Sequence, residues 1–249
     1  MLSRALTIWQ QALQQAGTWT AIVWTAAFSL LLFLVLALIG AGGIFALIAH
    51  PAFMSNPNVL SYNMARFAGS FLIIDLILLA AGPFLTAAIY GLYGQAVRGE
   101  RVSWETFWIM GRRLYGRGWG FILYIILYFL ALMIFAGILV MLLHRIGVIV
   151  VLLSLILSMP WVLRMAGGLF VDQLPWSQSF AASFRSAHYG SLLLGIILTG
   201  IVYIFVIGLV FFIIHSLGFV GSILMFLIDL VLSVAGPVWL LSLYVADQS

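Results

Sequence analysis

The chain predicts an all-α membrane protein: six transmembrane helices arranged as three pseudo-repeated hairpins, with amphipathic interfacial helices between them. Three observations predict it. Of 249 residues, 65% are hydrophobic and only 6% are charged, against roughly 25% charged in soluble domains. That leaves too little polar surface to cover a globule in water, so lipid must be the solvent. The apolar runs are long and continuous, matching the about 20 residues a helix needs to cross a hydrocarbon core of about 30 Å. Only helices and closed barrels satisfy their backbone groups there, and no period-two alternation suggests barrel strands. Finally, the phrase Ile74-Asp75-Leu76-Ile77-Leu78-Leu79-Ala80-Ala81-Gly82-Pro83 returns almost letter for letter as Ile228-Asp229-Leu230-Val231-Leu232-Ser233-Val234-Ala235-Gly236-Pro237. Pro160 lies midway between the two prolines in a similar apolar run. The even spacing partly reflects compensating loop lengths, so the repeated phrase carries the argument.

The elements follow in order. Leu6, Trp9, Leu13 and Ala16 recur at helical spacing against a polar face of Arg4, Gln10, Gln11 and Gln14, which predicts a surface helix. The first span is Ala21–Ala49, too long for the h-region of a signal peptide. A polar loop with Pro51, Asn56, Pro57 and Asn58 leads to the second span, Phe67–Tyr93. Between Ser103 and Tyr115, Trp104, Phe107, Trp108, Gly111 and Tyr115 keep the helical rhythm, with Glu105, Arg112 and Arg113 elsewhere on the wheel. Spans Trp119–Leu143 and Ile146–Phe170 meet at His144 and Arg145. Trp176, Phe180, Phe184 and Ala187 mark a third amphipathic stretch, before spans Gly190–Ile214 and Phe219–Val245. The whole chain, 1–249, is expected to be one transmembrane domain of three units, about 1–101, 102–173 and 174–249. Each unit is an interfacial helix, an outward span, a turn, and a return span carrying proline.

Arginine counting predicts the orientation. Arg4, Arg98, Arg101, Arg112, Arg113, Arg117 and Arg185 fall on one side of the expected spans, and only Arg66 and Arg145 on the other. The positive-inside rule then puts both termini in the cytoplasm.

Asp75 and Asp229 lie within apolar spans, where an ionisable group is costly and marks a functional-site hypothesis. Either they line a polar cavity that binds a cation or relays a proton, or they fix helix packing through hydrogen bonds. Arg164 follows its proline whereas the acids precede theirs. In register the offset amounts to about 18 Å along the helix axis, so Arg164 is expected to snorkel to the cytoplasmic interface. Pro83, Pro160 and Pro237 each remove a helix hydrogen bond and are helix-kink candidates. Gly82 and Gly236 beside two of them are expected to allow close helix approach, and a gating hinge is the functional alternative. His50, His144 and His215 each end an outward span, but no carboxylate or i, i+4 histidine accompanies them, so no metal site is expected.

Trp104, Trp108, Arg112, Arg113 and Arg117 form an aromatic-basic group suited to lipid headgroups or a protein partner. Nucleic acid is not an expected partner for so membrane-bound a segment. The sequence holds no cysteine, and no nucleophile elbow, zincin, phosphate-loop or dinucleotide motif. Neither an enzyme nor a cofactor is therefore expected.

Gly82-Pro83-Phe84-Leu85-Thr86-Ala87-Ala88-Ile89-Tyr90, with Arg98-Gly99-Glu100 and Trp104–Arg113, resembles the YesL-like family of small bacterial membrane proteins. The stretch Asp172–Gly190 is similar to the group that includes the membrane domain of some glycerophosphodiester phosphodiesterases. The resemblance implies a six-helix bacterial inner-membrane protein, in a family linked to carbohydrate uptake, and brings no catalytic residues. The expected function is a non-enzymatic accessory or scaffold protein in the phospholipid bilayer, serving a membrane complex or a cytoplasmic partner. The alternative is a small transporter or permease subunit using Asp75 and Asp229.

Overall fold

A computed structural model describes residues 1–49, 76, 79–185, 189–215 and 218–248. Its helices run short, long, long, three times over. First come α1 (Leu2–Gln14), α2 (Thr20–Ala49) and α3 (residues 79–97), then α4 (Trp104–Arg113), α5 (Tyr115–Leu143) and α6 (Arg145–Ala166). The last three are α7 (Trp176–Ser183), α8 (Tyr189–His215) and α9 (Gly218–Asp247). No strand occurs among the described residues.

Four helical stretches are long and apolar enough to cross a membrane: Tyr115–Leu143, Arg145–Val171, Tyr189–Phe212 and Leu224–Asp247. They correspond to the four later spans expected from the sequence. The expected span 21–49 is helical as α2, although its apolar part as described, Ala16–Leu31, is shorter. The expected span 67–93 is described only at 76 and from 79 onward.

Local chemistry fixes the element boundaries. Ser103 caps α4 reciprocally with Thr106: the Thr106 hydroxyl accepts from the Ser103 main-chain N–H at 3.0 Å, satisfying donors that a helix start leaves unpaired. Glu105 in the first turn and Arg112 and Arg113 in the last complement the helix dipole. The α5–α6 turn rests on His144, whose φ of 49° is uncommon for a residue other than glycine.

The core sits at the end of the bundle that carries both chain termini. Ala5 and Ala12 of α1, Ala88 and Leu92 of α3, Phe107 of α4, Leu163 of α6, Leu192 of α8 and Leu241 of α9 share one buried cluster. A second cluster joins Met110 and Leu114 to Phe121, Met165, Leu169 and Phe170. The far half is different. Met141 is 81% exposed and Phe212 80%, as befits side chains whose solvent is lipid.

Pro83, Pro160 and Pro237 each lie inside a helix, and a main-chain carbonyl two or three residues before each accepts from an aromatic donor of another unit. The Tyr115 hydroxyl donates to the Ala80 carbonyl at 3.3 Å, three residues before Pro83. Tyr189 donates to the carbonyl of Leu157, three residues before Pro160. The Trp9 indole N–H donates to the Ala235 carbonyl at 2.9 Å, two residues before Pro237. A proline has no N–H for the carbonyl four residues before it, and these outside donors bond carbonyls in the same interrupted turn.

Close helix approach occurs at glycines other than the two expected. A Cβ on Gly236 would meet nothing within 4 Å, and one on Gly82 would meet only the tip of Ile122 at 3.8 Å. Among the described residues, neither glycine sits against the backbone of a neighbouring helix. At Gly118 a Cβ would lie 2.1 Å from the Pro83 carbonyl oxygen, so α5 crosses α3 there with backbone nearly against backbone. Only a residue without a side chain fits.

Candidate functional site

The polar network is built where the three proline-bearing helices end. Arg98 follows α3. Arg164 lies in the last turn of α6, and Asp172 follows the wide turn Gly167–Val171 that extends it. Tyr244, Asp247 and Gln248 close α9. The wide turn brings Gly167 flat against the Tyr244 ring, where an added Cβ would lie 2.4 Å from ring atoms.

Two ion pairs tie these ends together. Arg164 Nη2 donates to Asp247 Oδ2 at 2.5 Å, with side chains 12% and 0% exposed. Arg98 Nη2 donates to Asp172 Oδ1 at 2.8 Å, with 38% and 21% exposed. The second pair is solvent-screened and worth about 1 kcal/mol or less. The first is nearly dry. Its attraction is offset by desolvation, but removing one partner strands a buried charge at about 3–5 kcal/mol. Asp172 also accepts from the Tyr244 hydroxyl and, at 2.7 Å, from Gln248 Nε2. One carboxylate thus joins α3 to α9.

Arg164 does more than pair. Its Nη1 donates to the main-chain carbonyl of Arg185, beyond the end of α7, and, at 3.5 Å, to that of Ala182, which also accepts from the Arg185 N–H. Arg164 Nε and Asp247 Oδ1 are buried without a hydrogen-bond partner. Donor and acceptor belong to the same pair, which is therefore monodentate where a two-bond fork is chemically available. Arg164, expected to snorkel to the interface, has its head at the bundle end that carries both termini, held there by an acid at the end of another helix.

The other expected residues scatter. Asp75 lies outside the described residues, as do His50 and Arg66. Asp229 lies on an exposed stretch of α9 with Phe226, Leu227 and Val231, and no side chain among the described residues pairs with it. Pro83 and Pro160 are buried and Pro237 is half-buried. Trp104, 46% exposed, packs on Trp24 at 4.6 Å between ring centroids. Trp108 is half-buried between Trp24 at 4.7 Å and Phe84 at 5.4 Å. Arg112 and Arg113 are exposed and Arg117 is half-buried.

Sequence reasoning missed Asp172, Asp247 and Tyr244, and the pairing of Arg98 with the first of them. The available signal was positional: each return span ends in a residue that can pair with another, and acids at span ends escape a search for acids in mid-span. Among the described residues no group of three metal-ligating side chains comes together. Beside the network is a cavity of about 300 Å³, lined by Arg164, Gln178, Arg185, Tyr244 and Gln248 among others. Neither family models, nor curated proteins, nor solved structures give a match to this chain.

Proposed function

We propose that the chain is a non-enzymatic accessory or scaffold protein of the bacterial inner membrane, with both termini in the cytoplasm. In this reading its six spans form three related hairpins closed into a ring. The cyclic order of the aromatic donors supports the ring: unit two serves the proline of unit one, unit three that of unit two, and unit one that of unit three.

The observation that carries the function is the construction of α4. Its inward face, Thr106, Phe107, Met110 and Gly111, is buried in the core. Its outward face presents Trp104, Ile109, Arg112 and Arg113 to solvent. A basic-aromatic ridge held by a buried face is preorganised and loses little side-chain freedom on binding. The ridge grips anionic headgroups or an acidic partner surface and anchors a larger membrane assembly. Support for this over the transporter alternative comes from the position of Asp229, which lines no cavity with the polar network.

The test compares native-membrane purification of the full chain with an Arg112→Ala, Arg113→Ala variant. A stoichiometric partner or enriched anionic lipid that accompanies the parent and is lost from the variant supports the proposal. Equal recovery from both, or recovery of neither, contradicts it.

A further inference from the structure

Among the described residues the cavity beside the polar network has a charge surplus. Arg164 is compensated by Asp247 and Asp172 by Arg98, while the Arg185 guanidinium has no acidic partner among the described residues. Gln178 likewise makes no side-chain hydrogen bond among them. Gln178, Ala181, Ala182 and Arg185 all line the cavity, the first three from one face of α7 and Arg185 from just beyond its end.

Several details separate this arrangement from a solvated surface arginine. The Arg185 main chain is pinned at both polar atoms: its N–H donates to Ala182 at 3.1 Å, and its carbonyl accepts from Arg164. The α7-end carbonyls, which would repel an anion, already accept from Arg164. Across the cavity Gln248 gives one amide hydrogen to Asp172, keeping a second donor. The opposite side carries Trp176, Phe180 and Phe184, in contact in sequence at 5.3 Å (stacked) and 5.1 Å (edge to face) and partly exposed. Aromatic residues of this kind mark the headgroup level of a bilayer, where phosphate is the abundant oxyanion. The volume of about 300 Å³ reaches the lower end of small-ligand sites.

We infer that this cavity binds a phosphoryl oxyanion, with Arg185 as the charge partner and Gln178 and Gln248 as amide donors. The group belongs either to a lipid headgroup or to a free phosphorylated compound. The site lies on α7 and α9, apart from the α4 ridge on which the proposed function rests, so either can fail alone.

The experiment uses the full chain purified in neutral detergent, in the parent form and as Arg185→Gln. Both are titrated with inorganic phosphate, and both are assayed for retained phosphatidylglycerol against phosphatidylcholine by mass spectrometry of the intact protein. Arg185→Gln should keep the parent unfolding midpoint, because Arg185 holds the fold only through its main chain. Loss of phosphatidylglycerol retention by about tenfold or more, the scale of a charge-assisted hydrogen bond, supports a headgroup. A similar loss confined to inorganic phosphate supports a free phosphorylated compound. Equal binding by parent and variant, or binding by neither, overturns the inference. Gln178→Leu gives a second reading and should weaken the same probe. Arg112→Ala with Arg113→Ala should leave cavity binding intact, whatever becomes of the proposed function.

Discussion

The two ends of this bundle are held together by different physics. At the terminal end, three short helices, the ends of the proline-bearing helices and two ion pairs enclose buried clusters around Phe107, Leu114, Phe170 and Leu241. In the far half, Phe205, Phe212, Met141 and Leu142 stand exposed. In the proposed reading water reaches the former, and lipid surrounds most of the latter. At the terminal end, burying apolar surface is favourable at about 25 cal/mol per Å², and the short helices have an apolar face to hide. Within hydrocarbon a leucine is as well solvated by lipid as by another leucine, so association depends on close packing and hydrogen bonds. The molecule is thus tightly specified where water can drive packing and loosely specified where it cannot.

Substitutions should divide along the same line. The largest effect is expected for Asp247→Leu, which strands Arg164 and should lower stability by about 3–5 kcal/mol, read as the unfolding midpoint in detergent. Adding Arg164→Met should restore part of the loss, the remainder reflecting the Arg185 carbonyl left without the Arg164 donor. Gly118→Val comes next. Its Cβ meets the Pro83 carbonyl, and overpacking of this kind costs about 1–3 kcal/mol, whereas Gly236→Ala should change stability by less than about 0.5 kcal/mol. Tyr115→Phe and Tyr189→Phe each remove one donor from a proline-interrupted helix and should cost about 0.6–1.5 kcal/mol. Smallest of all, Phe212→Leu in the far half should stay within about 0.5 kcal/mol. A loss comparable to that of Gly118→Val would mean that the far half is covered by protein after all.

The same division explains what the sequence revealed. Apolar runs and arginine placement are one-dimensional signals, so α5, α6, α8 and α9 and the surface helices α1, α4 and α7 were all readable. Their order also follows from periodicity, since Phe107 and Met110 sit on one face of α4 whatever they touch. The network could not be read this way. Arg164 and Asp247 meet because two helices from different units end side by side, and no local pattern states that. Register by the prolines set Arg164 apart from the mid-span acids but did not find its partner, an acid well beyond Pro237. Gly82 and Gly236 misled for a similar reason, because a glycine beside a proline need not face a neighbouring helix. Gly118, outside the repeated phrase, makes the contact instead.

The central claim, that the short helices and most arginines share one membrane face, is open to direct measurement because the chain has no cysteine. Single variants Arg4→Cys, Arg112→Cys, Arg185→Cys and Arg145→Cys can be labelled with a membrane-impermeant thiol reagent in sealed vesicles of known orientation. The first three should react only from the cytoplasmic side, and Arg145→Cys only from the other. Labelling of Arg4→Cys and Arg112→Cys from opposite sides would contradict the account.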